Sequence, residues 1–214
     1  MTFEQLIMEG RKLQRPCVFL RPQGTGVVAA VWYRRDRQEI ARTGRRCWLT
    51  VDVGLVPGFE AATSRFMSLF TDEVKCEGGW VEFSRAWPER PGVQLYAQPA
   101  SVLPPLDAVF FRGSELVGDW LQANDWERDR RYNHNFKDEQ VANQYEQVWF
   151  SEYPLYLQSD IYAVLGGWHF PGPDDDWHDL VENQLLVLTI RDAEPWVEAW
   201  RTRDGGFRVL QRVT

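Results

Sequence analysis

The stretch QLLVLTIRDAEPWVEAWRTRDGGFRVLQRVT, residues 184–214, decides the fold. Residues 184–190 are almost continuously apolar and too short for a helix, which marks a buried strand. Pro195 follows a polar turn, and the runs 196–202 and 207–213 flank Asp204-Gly205. That dipeptide reads as a two-residue hairpin turn, whose central positions both want positive φ. With Asp204 and Gly205 there, Thr202 lies opposite Phe207, Trp200 opposite Val209 and Glu198 opposite Gln211. One face then reads Trp196, Glu198, Trp200, Phe207, Val209, Gln211, Val213, and the other Val197, Ala199, Arg201, Arg208, Leu210, Arg212. The first is the more apolar and is expected to face the core, so the chain ends in a three-stranded meander.

Working back from that end, strand signals recur at residues 17–21, 26–33 and 46–53, expected as antiparallel neighbours, with a Gln-Gly-Thr-Gly turn after the first. In the third, Cys47, Leu49, Val51 and Val53 alternate with Arg46, Trp48, Thr50 and Asp52, as in a strand with one face on a core and one in water. Further short strands are expected at 66–70, 80–84 and 93–97. Thr2 and Gln5 have the form of a capping box for a helix to about Gln14, ended by Pro16. In the second half, Ser114 caps a helix ending near Asn124. Asp138 caps another, with Val141, Tyr145, Val148 and Trp149 at helical spacing, and a third covers 177–183. The fold class is α+β: a mainly antiparallel sheet, an N-terminal helix, two to three helices in the second half and a C-terminal hairpin. Pro99, Pro104 and Pro105 mark a boundary between lobes 1–100 and 108–214. The connection is short and apolar, suited to packing rather than hinging, so 1–214 is read as a single domain.

A chain of 214 residues needs no metal or disulfide to fold. Its cysteines, Cys17, Cys47 and Cys76, match no disulfide framework or zinc spacing and read as reduced thiols. No apolar run reaches the roughly 18 residues of a membrane span, and the N-terminus lacks a signal peptide's basic start, so the expected address is the cytoplasm. The net charge of −7 is uneven: residues 1–107 carry 14 Lys+Arg against 12 Asp+Glu, and the remainder 10 against 19. An acidic second half repels phosphate backbones and favours a basic or cationic partner over nucleic acid. Arg34, Arg35, Arg37, Arg42, Arg45 and Arg46 form the one basic run, read as a solvated loop rather than an anion seat. Eleven tryptophans exceed what a core of this size obviously requires and lean toward recognition.

The most concentrated polar segment is residues 166–179, GGWHFPGPDDDWHD. His169, His178 and one of Asp174, Asp175 and Asp176 suit a divalent metal by ligand type, but no metal-motif spacing is present. Three aspartates after Pro-Gly-Pro also make a good helix start. Trp168 and Trp177 frame the segment, and flat indoles with carboxylates suit a basic protein segment or a sugar. Glu198, expected between two Trp on the inward hairpin face beside Gln211, is a general acid, an anchor for a cation, or a carboxylate that reaches water or an Arg. His134 falls in a polar loop. A nucleophile elbow, a phosphate loop, an H-E-x-x-H pair and a complete dinucleotide fingerprint are all missing.

The leading expectation is therefore a non-catalytic protein-binding module of immunity or adaptor type. Its binding residues would be Trp168, His169, Asp174, Asp175, Asp176, Trp177, His178, Trp196, Glu198 and Trp200. One alternative is a carboxylate and histidine hydrolase, with or without a metal. Another is a small-molecule or carbohydrate pocket lined by Trp168, Trp177, Trp196 and Trp200. No residue pattern specifies a cofactor or an oligomeric state.

Overall fold

Thr2 begins the first helix as its sequence signals: its hydroxyl accepts the Gln5 amide at 3.3 Å, and the Gln5 side chain accepts the Thr2 amide at 2.8 Å. This computed structural model describes residues 1–60, 64–74, 78–123, 139–152, 160–168, 185–190, 196–202 and 204–212. The helices are α1 (Phe3–Lys12), α2 (Arg37–Thr43), α3 (Leu106–Arg112), α4 (Glu115–Ala123) and α5 (Glu139–Glu152). The strands are β1 (Arg15–Arg21), β2 (Val28–Trp32), β3 (Arg45–Asp52), β4 (Phe66–Asp72), β5 (Gly79–Ser84), β6 (Val93–Val102), β7 (Ala163–Gly166), β8 (Leu185–Ile190), β9 (Trp196–Arg201) and β10 (Phe207–Arg212). This is an α+β fold, a large curled antiparallel sheet with a C-terminal hairpin. The helix expected at 177–183, its aspartates, the Asp138 cap and His134 lie outside the described residues.

The strand order is β10-β9-β8-β7-β1-β6-β2-β3-β4-β5. β1 pairs with β6 on one side and β7 on the other, so strands from before and after the proline-rich segment share one sheet. That corrects the expected β1–β2 neighbours, because β6 lies between them. Its ten residues serve both, Val93 to Tyr96 against β2 and Tyr96 to Val102 against β1. A local turn signal cannot say which strand closes a pair, and a long later strand took both edges. Pro99 lies beyond the reach of β2, on a stretch of β6 where a missing N–H is tolerated.

The sheet curls until its edge strands meet. The Gln211 side chain donates to the Gly78 carbonyl at 2.6 Å, and the Phe83 and Phe207 rings lie 5.3 Å apart. A Cβ on Gly79 would lie 2.8 Å from Val209. Inside the curl pack Leu20, Ala30, Leu49, Val51, Met67, Leu69, Leu95, Leu165, Val197 and Val209. The Trp32 ring stands edge-on to Trp48 at 5.9 Å and to Tyr162 at 5.3 Å near one end, while Val53 and Val56 pack just past the other end of β3. Each fully buried indole removes on the order of 150–250 Å² from water, a gross gain of about 4–6 kcal/mol.

The outer face of β1, β6 and β7 carries Cys17, Phe19, Val102 and Val164 under α1, α3, α4 and α5. Gly10 lets α1 approach α5, since a Cβ there would run into the Tyr145 hydroxyl. Tyr145 and Trp149 donate to the Pro104 and Leu103 carbonyls at 2.9 and 3.2 Å, tying the proline-rich segment to α5.

Two further expectations are corrected. β3 is buried on both faces apart from Arg45, because its outer face also carries a buried hydroxyl row. There Tyr33 bonds Thr50 at 3.0 Å, and Thr50 bonds Ser68 at 2.7 Å. The hairpin register is shifted by one residue: Phe207 pairs with Arg201, Arg208 with Trp200 and Leu210 with Glu198. The Thr202 amide bonds the Gly206 carbonyl, and Gly205 at φ +85° bonds the Thr202 carbonyl, so three residues rather than two form the loop. One residue of slip exchanges the two faces of a strand. Val197, Ala199, Phe207 and Val209 therefore face inward, and Glu198 and Trp200 outward.

Candidate functional site

The start of the Trp-rich segment is held by local geometry that the sequence requires. Gly166 and Gly167 sit at φ +71° and +81°, where only glycine is unstrained, and a Cβ on Gly167 would meet Val102 and Cys17 at 3.0 and 3.1 Å. They deliver Trp168 into the helix-covered core at 3% exposure. Its indole N–H donates to the Leu13 carbonyl at 2.9 Å, at the C-terminal end of α1 where helix carbonyls lack intrahelical partners. The Arg15 guanidinium stacks 3.5 Å from the ring, and that of Arg112 lies at 5.9 Å. Burial, and then the Arg112 charge, push the Arg15 guanidinium down to about 10, so it stays charged at neutral pH. Trp168 is thus an anchor whose faces are already occupied.

His169, Asp174, Asp175, Asp176, Trp177 and His178 lie outside the described residues. Trp196 opposes Arg212 on the outward register of β9. Glu198 and Trp200 follow on the same face, at 0% and 2% exposure, with the Trp200 indole donating to the Glu198 carboxylate at 3.2 Å. The expected partner Gln211 points to the other face, toward Gly78. Glu198 is therefore a buried carboxylate satisfied in part by its neighbouring indole, as a buried charge must be. Trp168 and Trp200 fall in separate packing clusters and are not two walls of one open recess. Among the described tryptophans, Trp32, Trp48, Trp120, Trp149, Trp168 and Trp200 are all buried.

Sequence reasoning passed over a groove among the described residues, of about 970 Å³ and lined by Tyr33 to Glu39 and Glu89 to Val93. α2 forms one wall, and Asp36 caps it by accepting the Gln38 and Glu39 amides at 2.9 and 3.0 Å. Gly44 at φ +70° ends the helix. Arg90 reaches Glu39 through both nitrogens, at 2.5 and 3.4 Å, and sits 5.0 Å over the Tyr33 ring. Gly92 lets the chain pass close to the end of β2, since a Cβ would crowd the Trp32 carbonyl and Val31 at 2.5 Å. Asp36 and Gly44 were the signals in the sequence, but a seven-residue helix with no buried residue has no apolar stripe to reveal it.

The arginine run is divided rather than pooled. Arg35 pairs with Glu73 at 2.7 Å, Arg45 lies 5.2 Å over Trp80, and Arg46 is buried 3.3 Å over Trp48. Arg34 and Arg37 line the groove with Glu89 opposite, so it alternates in sign and offers no single-charge seat. Cys47 lies close enough to Arg90 and Glu39 to feel their charges, and burial pushes its thiol up to about 12, far from a reactive thiolate. Among the described residues, no three His, Cys, Asp or Glu side chains are placed to hold a metal, and no helix is long and apolar enough to cross a membrane. Comparison with protein-family models, with curated proteins and with solved structures gives no match.

Proposed function

We propose that this chain is a non-catalytic recognition module that binds a basic protein surface through the acidic, Trp-rich segment 168–178, in the manner of immunity and adaptor proteins. The observation that carries the reading is the anchoring of Trp168. In the sequence, a segment rich in carboxylates follows directly on an indole fixed by two positive-φ glycines, a backbone hydrogen bond and two guanidiniums. Binding segments are commonly displayed from a rigid scaffold of this kind. The charge imbalance supports a basic partner, with 19 acidic against 10 basic residues from 108 onward. The buried apolar side chains packed inside the curl support recognition on the outside rather than within. Buried free thiols at Cys17 and Cys47 suit a reducing compartment, and the cytoplasm is the address that goes with this reading.

The test is capture on the immobilised protein from its native cell extract, run beside the variant Asp174→Asn, Asp175→Asn, Asp176→Asn. The expected result is a basic partner held by the native chain and reduced roughly tenfold or more on the variant, with unchanged thermal stability. Equal retention by both, or a partner that is acidic, defeats the reading.

A further inference from the structure

The two edge strands of the curled sheet meet in a way that no other neighbouring pair does. Gly78 lies against Gln211, Gly79 against Val209 and Phe83 against Phe207, so β5 and β10 run past each other in opposite directions. Every other adjacent pair is joined by a backbone ladder, whereas β5 and β10 are the two ends of the sheet order, with no ladder between them among the described residues. Among the described residues, what fastens them is one side-chain hydrogen bond, from Gln211 to the Gly78 carbonyl, with Val209 packed at Gly79 and the Phe207 ring against Phe83. Phe83 is 42% exposed, so this aromatic contact is open to water.

Local stability follows local fastening, and a joint of side chains opens before joints of hydrogen-bonded backbone. We infer that the β5–β10 seam is a built-in line of opening, along which β10 comes away from β5 and then unpairs from β9 while the rest of the curl stays closed. Opening turns the inward residues Phe207 and Val209 toward solvent and bares two strand edges, groups able to pair with another extended chain. This device is independent of partner binding by the acidic segment.

Amide hydrogen exchange of the full chain tests it, read on β10 amides bonded to β9 and on β3 amides bonded to β4. The β10 set is expected to exchange at least roughly tenfold faster than the β3 set. Gln211→Leu is expected to accelerate the β10 and β5 amides by about fivefold, the effect of one lost hydrogen bond, with β3 unchanged. Equal protection of β10 and β3 in the native chain overturns the inference without any variant. So does a Gln211→Leu protein in which all three strands accelerate together, because the seam then opens only with global unfolding.

Discussion

At the scale of single residues, the clearest consequences come from groups whose burial conflicts with their charge or their backbone. Burial pushes the Cys17 and Cys47 thiols up to about 12 and raises the Tyr145 phenol as well. Each holds its proton more tightly folded than unfolded, so the stability is whole below the ordinary thiol value and drains away as pH rises from about 9 toward 12. Two thiols at up to about 1.4 kcal/mol per pH unit predict a loss of about 2–3 kcal/mol between pH 8 and pH 10. Urea unfolding at the two pH values measures it, and an unchanged midpoint would show the thiols to be less buried than described. Gly167→Ala is expected to cost about 1–3 kcal/mol, since it places a side chain at positive φ against Val102 and Cys17. Gly118→Ala, on an open face of α4, should instead stabilise by about 0.5–1 kcal/mol. Thermal melts of the two variants should therefore move in opposite directions.

At the scale of elements, what the sequence disclosed was periodicity, and what it concealed was partnership. The capping box of α1, the helical spacing within α5 and the positions of β1 to β5 and the first half of β6 were readable, because each is encoded within a few residues, whereas residues 98–102, read as part of the proline-rich boundary, continue β6. The placement of β6 between β1 and β2 was not, since it joins residues some 80 apart through a strand whose own sequence says nothing of its neighbours. The hairpin register failed for a narrower reason. Asp204-Gly205-Gly206 admits a two-residue or a three-residue loop, and the second won because it turns Val197, Ala199 and Val209 into the curl. α2 was hidden by its polarity and shows how little holds it. Asp36→Ala removes the acceptor of two amides and should cost about 1 kcal/mol. Arg90→Ala breaks a partly exposed pair with Glu39 and should cost less than about 1 kcal/mol. A larger loss in the second variant than in the first would mean that the groove depends on Arg90 and not on the helix cap.

At the scale of the whole molecule, the ten strands among the described residues curl around an apolar core, four of the described helices cover one side, and the net negative charge falls in the second half of the chain. The candidate site was legible only in part. The sequence singled out the segment after Gly166-Gly167, and the glycine geometry there is built to hold Trp168 in place. It misjudged Glu198 and Trp200, because composition cannot distinguish an indole held for packing from one offered to a partner, and a single residue of register decides which. Recognition by the acidic segment makes a quantitative demand, since attraction between opposite charges on exposed surfaces weakens as salt is added. The decisive measurement is the affinity of the captured partner for the native chain and for the Asp174→Asn, Asp175→Asn, Asp176→Asn variant, from low to high salt. The account predicts that native affinity falls steeply with salt and converges on that of the variant, which is weak and nearly salt-independent throughout. Identical affinities at low salt, or a native affinity indifferent to salt, would contradict it.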